Sequence, residues 1–291
     1  MRKLVSYFSL GLSYLFQMVP RQVNVAMSWL LAFLWVDILR LRRDVVLSNI
    51  EKAFPGTDEK TKLKWMRFSL FVLTKNLFDL FQVPFVTEKW VKENVVFHDI
   101  EDAQKYQGGV FFLTLHMASA DLSCASISQS MKPLSLISKR FSNPIMNEFW
   151  FSIRRRSKTH FIDAHSKSNT FEILKALKSN RGVVFVLDQF MGKPYGIETE
   201  FFGIKTGTAY GLALFAQKTK CPVLPLYSYW GKDGKLNIRL KPAVDLSSLI
   251  TDDIERNKVV ITNQFNREIE NIIKDHPEHW MWVHKRWKVF E

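Results

Sequence analysis

Two apolar stretches open the chain: residues 4–19, which carry no charge, and, after Pro20-Arg21, residues 23–39, apolar apart from Asn24 and Asp37. Each falls short of the ~20 residues that a helix needs to cross a bilayer core. The apolar pattern runs on past residue 22 with no small-residue cleavage site, so no cleaved signal is expected. Arg2-Lys3 before these runs and Arg40, Arg42 and Arg43 after them suit snorkelling towards anionic headgroups. Two readings stand, a membrane-attached helical region over residues 1–43 or a pair of buried cap helices. The run lengths favour attachment.

Beyond residue 43 the periodicity changes twice. Helical spacing covers residues 44–53 and, after the break at Phe54-Pro55-Gly56-Thr57, residues 58–81. From residue 95 short strand-like runs alternate with helical ones. Strands are expected at 95–100, 108–115, 134–138, 160–164, 182–188 and 221–230, and after a turn at Lys232–Lys235 another at 235–244. Helices are expected at 118–130, 143–156, 168–179, 207–218 and 252–274. The runs at 108–115 and 182–188 are continuously apolar and led by glycine, as buried parallel strands are. The expectation is an α/β fold: a mixed, mostly parallel central sheet flanked by helices, with residues 44–291 as one domain behind the N-terminal helical region.

Composition narrows the function. In 291 residues there are 41 Lys+Arg against 28 Asp+Glu, a net charge of +13, and 47 % of residues are hydrophobic, with 24 Phe and 9 Trp. Disorder is excluded, and two cysteines cannot build a disulfide framework or a four-ligand zinc site. A basic, aromatic-rich chain suits a surface that is both apolar and anionic, which a membrane is and duplex nucleic acid is not.

Strand ends carry the candidate chemistry. His116 follows the run at 108–115, and Asp121 lies five residues on, in the next helix. A His at the carboxyl end of a parallel strand can act as general base, with a carboxylate fixing its tautomer. Asp188-Gln189 ends the second glycine-led strand, so Asp188 is able to orient His116 from the side opposite Asp121. Residues 132–158 hold Lys132, Lys139, Arg140, Arg154, Arg155, Arg156 and Lys158 with one acid, Glu148. Three consecutive arginines point different ways around a helix, so one must face inward towards Asp121 or a substrate phosphate. The tail at 277–288 interleaves Trp with Lys and Arg, as an interfacial belt or a base-stacking surface does. His279 and His284 lack zinc-helix spacing, so neither metal nor cofactor is expected.

In this order the pieces resemble the lipid A biosynthesis (lauroyl/myristoyl-type) acyltransferases of bacterial membranes. The similar stretches are RDVVLSNIEKAFP at 43–55, His116–Asp121 as an H-x4-D/E motif, and KRFSNP at 139–144. VLDQ with FFG, the KTKCPVLPL strand entry and PEHWMWVHKRWK follow collinearly. The resemblance implies acyl transfer from an acyl carrier protein or coenzyme A thioester to a hydroxyl of an anionic lipid, at the cytoplasmic face of the inner membrane. His116 would be the base, Asp188 its orienting partner, and Asp121 a brace paired with an arginine of 154–156. Arg140, Arg154, Arg155, Arg156 and Gln189 would bind substrate. Where the family has Gly-Asn-Trp-Glu within and after the motif, this chain has Met117-Ala118-Ser119-Ala120-Asp121, so an ornithine, polyene or glycerolipid acceptor is the alternative to a lipid A precursor. The contrasting classes are a nucleic-acid-binding module and an inactive lipid-binding scaffold.

Overall fold

Alternate residues of the buried strands face opposite layers, and both layers are filled. Phe111 and Leu113 point into one apolar cluster, Val110 and Phe112 into another, and Val183 and Val184 divide likewise. The computed structural model describes residues 2–291, Asp102 by its backbone alone. The helices are α1 (Arg2–Met18), α2 (Arg21–Phe33), α3 (Arg43–Ala53), α4 (Glu59–Leu80), α5 (Glu88–Asn94) and α6 (Glu101–Gln104). After them come α7 (Ala120–Ser130), α8 (Pro144–Arg154), α9 (Asn169–Lys178), α10 (Gly211–Thr219) and α11 (Ile254–Asp275). The strands are β1 (Val95–His98), β2 (Val110–Thr114), β3 (Leu134–Ser138), β4 (His160–Asp163), β5 (Gly182–Val186), β6 (Gly196–Phe201), β7 (Ile204–Ala209), β8 (Val223–Trp230) and β9 (Leu236–Leu240).

Seven strands form one sheet in the order β1-β9-β8-β2-β5-β3-β4, parallel throughout except for the β8–β9 hairpin. Helices α4, α9, α10 and α11 cover one face and α5 and α7 the other, as expected of a mixed, mostly parallel α/β sheet. Glycine leads β5 for a steric reason: a Cβ on Gly182 would lie 2.4 Å from a ring carbon of Phe112.

One element departs from the sequence pattern. Residues 196–209 form the antiparallel pair β6–β7, turning at Phe202 and Gly203 with φ of 51° and 70°, and the following helix begins only at Gly211. The sequence pattern predicts a loop here and a helix from 207. The hairpin's short alternation, broken by Gly207, gives a weak period-2 signal.

The first two helices are inside out. Towards the protein α1 presents Ser9 and Ser13, and α2 presents Asn24, Ser28 and Ala32, with α1 packed on α8 and α2 on α4. Their large apolar side chains, among them Leu4, Tyr7, Leu15, Met18, Leu30 and Phe33, face outward. Small residues let helix axes approach closely, and the Ser9 and Ser152 hydroxyls meet at 2.6 Å across the α1–α8 contact. Among the described residues no single helix is long and apolar enough to cross a membrane. Residues 21–38 and 43–53 together reach that length and composition, with a 92° bend between them.

Candidate active site

Strand register brings the central pair of side chains together. Val110 to Thr114 lie opposite Gly182 to Val186, and Leu187 N–H extends the ladder to the Thr114 carbonyl at 3.1 Å. Continuing the same offset sets His116 beside Asp188, at the carboxyl end of the sheet where α/β proteins open their clefts. The His116 Nδ1 lies 2.8 Å from Asp188 Oδ1, and the His116 backbone N–H donates to Oδ2 at 3.0 Å. Trp280 Nε1 donates to the same Oδ2 at 2.7 Å.

Asp188 is buried, with 2 % of its side chain exposed, whereas 40 % of the His116 side chain is open. Burial alone would raise the Asp188 pKa. The His116 charge, its hydrogen bonds and the Trp280 N–H outweigh burial and hold the carboxyl below its usual range. For His116, burial favours the neutral ring, but the Asp188 charge and hydrogen bond prevail and lift its pKa above the ordinary imidazole value. With Nδ1–H donated to Asp188, Nε2 is left as the basic nitrogen. His284, facing the charges of Asp188 and His116, is pushed down to about 4, chiefly by burial, and so stays neutral near pH 7.

Asp121 does not reach His116; it is committed elsewhere. The chain reverses after His116 with Ala118 at φ 44°, a left-handed value costing a non-glycine residue roughly 1–2 kcal/mol, and α7 then begins. Asp121 sits in the first turn of α7, where the helix dipole favours a carboxylate. Arg154, the last residue of α8, grips it with Nε at 2.7 Å from Oδ1 and Nη2 at 2.9 Å from Oδ2. The guanidinium also lies over Trp150 and Phe161, at 5.1 and 5.3 Å from the ring centroids.

The other predicted residues are spread around this centre. Gln189 Nε2 stands 3.4 Å from both His116 ring nitrogens, at the outer limit of a hydrogen bond. Arg140 pairs with Asp163 at 3.0 Å, Arg155 pairs with Glu148, and Arg156 is exposed. Arg140, Arg155, Arg2 and His160 line a cleft of about 480 Å³ that also holds Glu148 and Asp163. A second cleft, about 240 Å³, runs from His116 and Arg154 to Ser69, Val72 and Leu77 of α4. His116 also borders a third, about 130 Å³, walled by Cys124, Leu136, Val184 and Leu226.

The C-terminal segment corrects the sequence reading. Trp280, Trp282 and Arg286 are buried, so the tail is neither an interfacial belt nor a base-stacking surface. Trp280 bridges to Met117, and Met281 N–H donates to the His116 carbonyl at 3.1 Å. Asn49 of α3 pins the segment from behind, its Nδ2 donating to the carbonyls of Trp282 and His284, each at 2.7 Å. Sequence reasoning missed Trp280 as an Asp188 partner because only the folded register brings residues 188 and 280 together. Nearby, His276, Glu278 and His279 cluster, but the His279 ring is engaged by Glu278 at 3.1 Å and by the Trp230 N–H at 3.1 Å. They read as a hydrogen-bonded network.

Comparison with known proteins gives the family of the chain. A Lipid A biosynthesis acyltransferase from Haemophilus influenzae is 22 % identical over 241 residues, covering 81 % of this chain and 72 % of that protein. The Lipid A biosynthesis lauroyltransferase of Escherichia coli is 22 % identical, covering 98 % and 92 %. Among solved structures, the 1-acyl-sn-glycerophosphate acyltransferase of Thermotoga maritima aligns over 87 % of this chain and 99 % of its own, with TM-score 0.39 and 14 % identity. The family profile described as bacterial lipid A biosynthesis acyltransferase matches residues 1–289, so the chain belongs to that family and is an acyltransferase.

Proposed function

We propose that the chain transfers a fatty acyl group from an acyl carrier protein thioester to a hydroxyl of a lipid A precursor, with His116 as general base. The observation that carries this reading is the His116–Asp188 contact at 2.8 Å, at the junction of two clefts. His116 Nε2 takes the proton of the lipid hydroxyl as its oxygen attacks the thioester carbonyl. The C–S bond breaks as the C–O bond forms, and the imidazolium returns its proton to the departing thiolate. Asp188 stabilises the imidazolium in between. No covalent acyl-enzyme is needed.

Arg154 and Asp121 hold the turn that presents His116. Arg140, Arg155 and Arg156 supply forked donors for acceptor phosphates, and the +13 surplus suits the acidic surface of a carrier protein. The expected test is an assay of the purified chain with an acyl carrier protein thioester and a lipid A precursor. The acceptor should gain one acyl mass, faster than with the coenzyme A thioester. Acylation of another lipid, with the precursor untouched, would overturn the acceptor.

Removing the orienting charge should leave a pH signature. Because the His116 pKa is raised, the ring stays protonated to higher pH, and kcat/KM should climb as pH rises through that value. In Asp188→Asn the supporting charge is gone, so the acidic limb should move to lower pH while turnover falls by about 10²-fold or more. A limb that stays in place would show that Asp188 does not act on the base.

The inside-out helices support attachment to a membrane surface, with the apolar sides of α1 and α2 in the interface; the cytoplasmic face of the inner membrane is the one that the resemblance implies. Each buried leucine contributes about 1.5–3 kcal/mol. Leu4→Glu, Leu15→Glu and Leu30→Glu combined should therefore abolish co-sedimentation with anionic vesicles while leaving the melting temperature unchanged. Undiminished binding would remove the helices from the interface.

A further inference from the structure

Behind α4 lies a cavity of about 320 Å³ between the α1–α2 junction, α5 and the β8–β9 hairpin. The His116 cleft uses α4 positions 69, 72, 73, 76 and 77, whereas this cavity uses Lys75 and Asp79. Its polar groups are poorly accounted for within the chain. Asp79, 1 % exposed, accepts at Oδ1 from the Lys75 ammonium at 2.6 Å; the Ser119 hydroxyl also acts on its carboxyl, and Oδ2 has no hydrogen bond of good geometry. Asn24, 7 % exposed, leaves its Oδ1 unpartnered, as Trp230 leaves its Nε1. All three residues line the same cavity. Buried polar atoms cost free energy unless something pairs with them, so two acceptors and one donor without protein partners in one place suit a ligand that carries both donors and an acceptor.

Charge narrows what that ligand is. Among the described residues the ionisable ones lining it are Arg21, which also donates to the Gly234 carbonyl, Lys75 and Asp79, two cations against one carboxylate, so an anion is preferred. The N-terminus of α2, at Pro20 and Arg21, opens here with no side-chain cap and no acid in its first turn, which also favours phosphate. The two unpartnered oxygens ask for O–H or N–H donors on the ligand. Next to the mouth, an open groove of about 380 Å³ shares Arg21 and Val25 and runs along Gln22 and Ala26 of α2, beside exposed Met18 and Val23. That is a path for a hydrocarbon tail.

We propose that this cavity binds an anionic phosphodiester headgroup bearing hydroxyls, as in phosphatidylglycerol, at a site distinct from the acyl-transfer centre. The phosphate lies against Arg21 and the α2 N-terminus, with Lys75 adding charge. Headgroup hydroxyls donate to Asn24 Oδ1 and Asp79 Oδ2, and Trp230 Nε1 donates to a headgroup oxygen. The tail follows the α2 groove.

Native mass spectrometry of the full chain in detergent tests this without turnover or acyl donor, so its outcome is independent of the transferase reading. The probes are dioleoyl phosphatidylglycerol and dioleoyl phosphatidylmethanol, which carry the same charge but differ in headgroup hydroxyls. The wild-type chain should retain phosphatidylglycerol about threefold or more over phosphatidylmethanol. Asn24→Ala, which removes an oxygen that no group in the chain uses, should bring the ratio near one with an unchanged melting temperature. Arg21→Gln should lower both adducts. Equal retention by the wild type, or a preference that survives Asn24→Ala and Asp79→Asn, would overturn the proposal by reducing binding to the overall positive charge. Soluble glycerophosphoglycerol in large excess should not displace the lipid. Full displacement would assign the cavity to a free phosphodiester and overturn the lipid as its occupant.

Discussion

Replacing His116 with alanine is expected to cut acyl transfer by about 10²–10⁴-fold, the contribution of a positioned general base, while the chain still folds. Folding survives because Asp188 keeps two of its three donors, the backbone N–H of residue 116 and Trp280 Nε1. The lost contact, a hydrogen bond to a charged group, is worth about 1.5–3 kcal/mol, which a lowered melting temperature will read. Turnover and unfolding should thus separate: a large kinetic loss with a cooperative, modestly destabilised transition. A variant that unfolds cooperatively and turns over at the wild-type rate would sink the mechanism.

Arg154→Met is expected to be the most destabilising single change near the site. It would strip the two-point grip from a carboxylate that is only 16 % exposed, and breaking such a pair by removing one partner costs about 3–5 kcal/mol. The methionine keeps part of the packing against Trp150 and Phe161, so the cost reports the stranded Asp121 charge more than lost volume. Adding Asp121→Leu removes that charge, and the double variant should recover part of the loss, with a coupling of about 0.5–3 kcal/mol in a denaturant cycle. Activity should not return with stability, because the turn that presents His116 is no longer braced. Strict additivity of the two changes would mean that the pair is energetically idle.

The sheet was legible because its strands announce themselves. The apolar runs at 108–115 and 182–188 can only be buried, and their parallel pairing puts the residues that follow them, His116 and Asp188, side by side. The inward turn of one arginine among 154–156 also follows from helical geometry. What pattern alone did not reveal depends on contacts distant in sequence. Trp280 meets Asp188 across 92 positions, and a tail rich in Trp and Arg reads as a surface until its burial is known. Asp121 pairs with Arg154, the arginine partner that the resemblance implies, and the reversal at Ala118 is what turns it that way. The β6–β7 pair escaped because a two-stranded ribbon carries little apolar alternation.

Helix α8 joins two environments that are otherwise separate. Ser152 touches α1 on the outer side, and two residues later Arg154 closes on the catalytic turn. A stiff rod gripped at both places transmits displacement instead of absorbing it. The packing of α1 on α8 and the hold on Asp121 therefore share one rigid element, so loosening the Ser9–Ser152 contact is expected to reach the turn that carries His116.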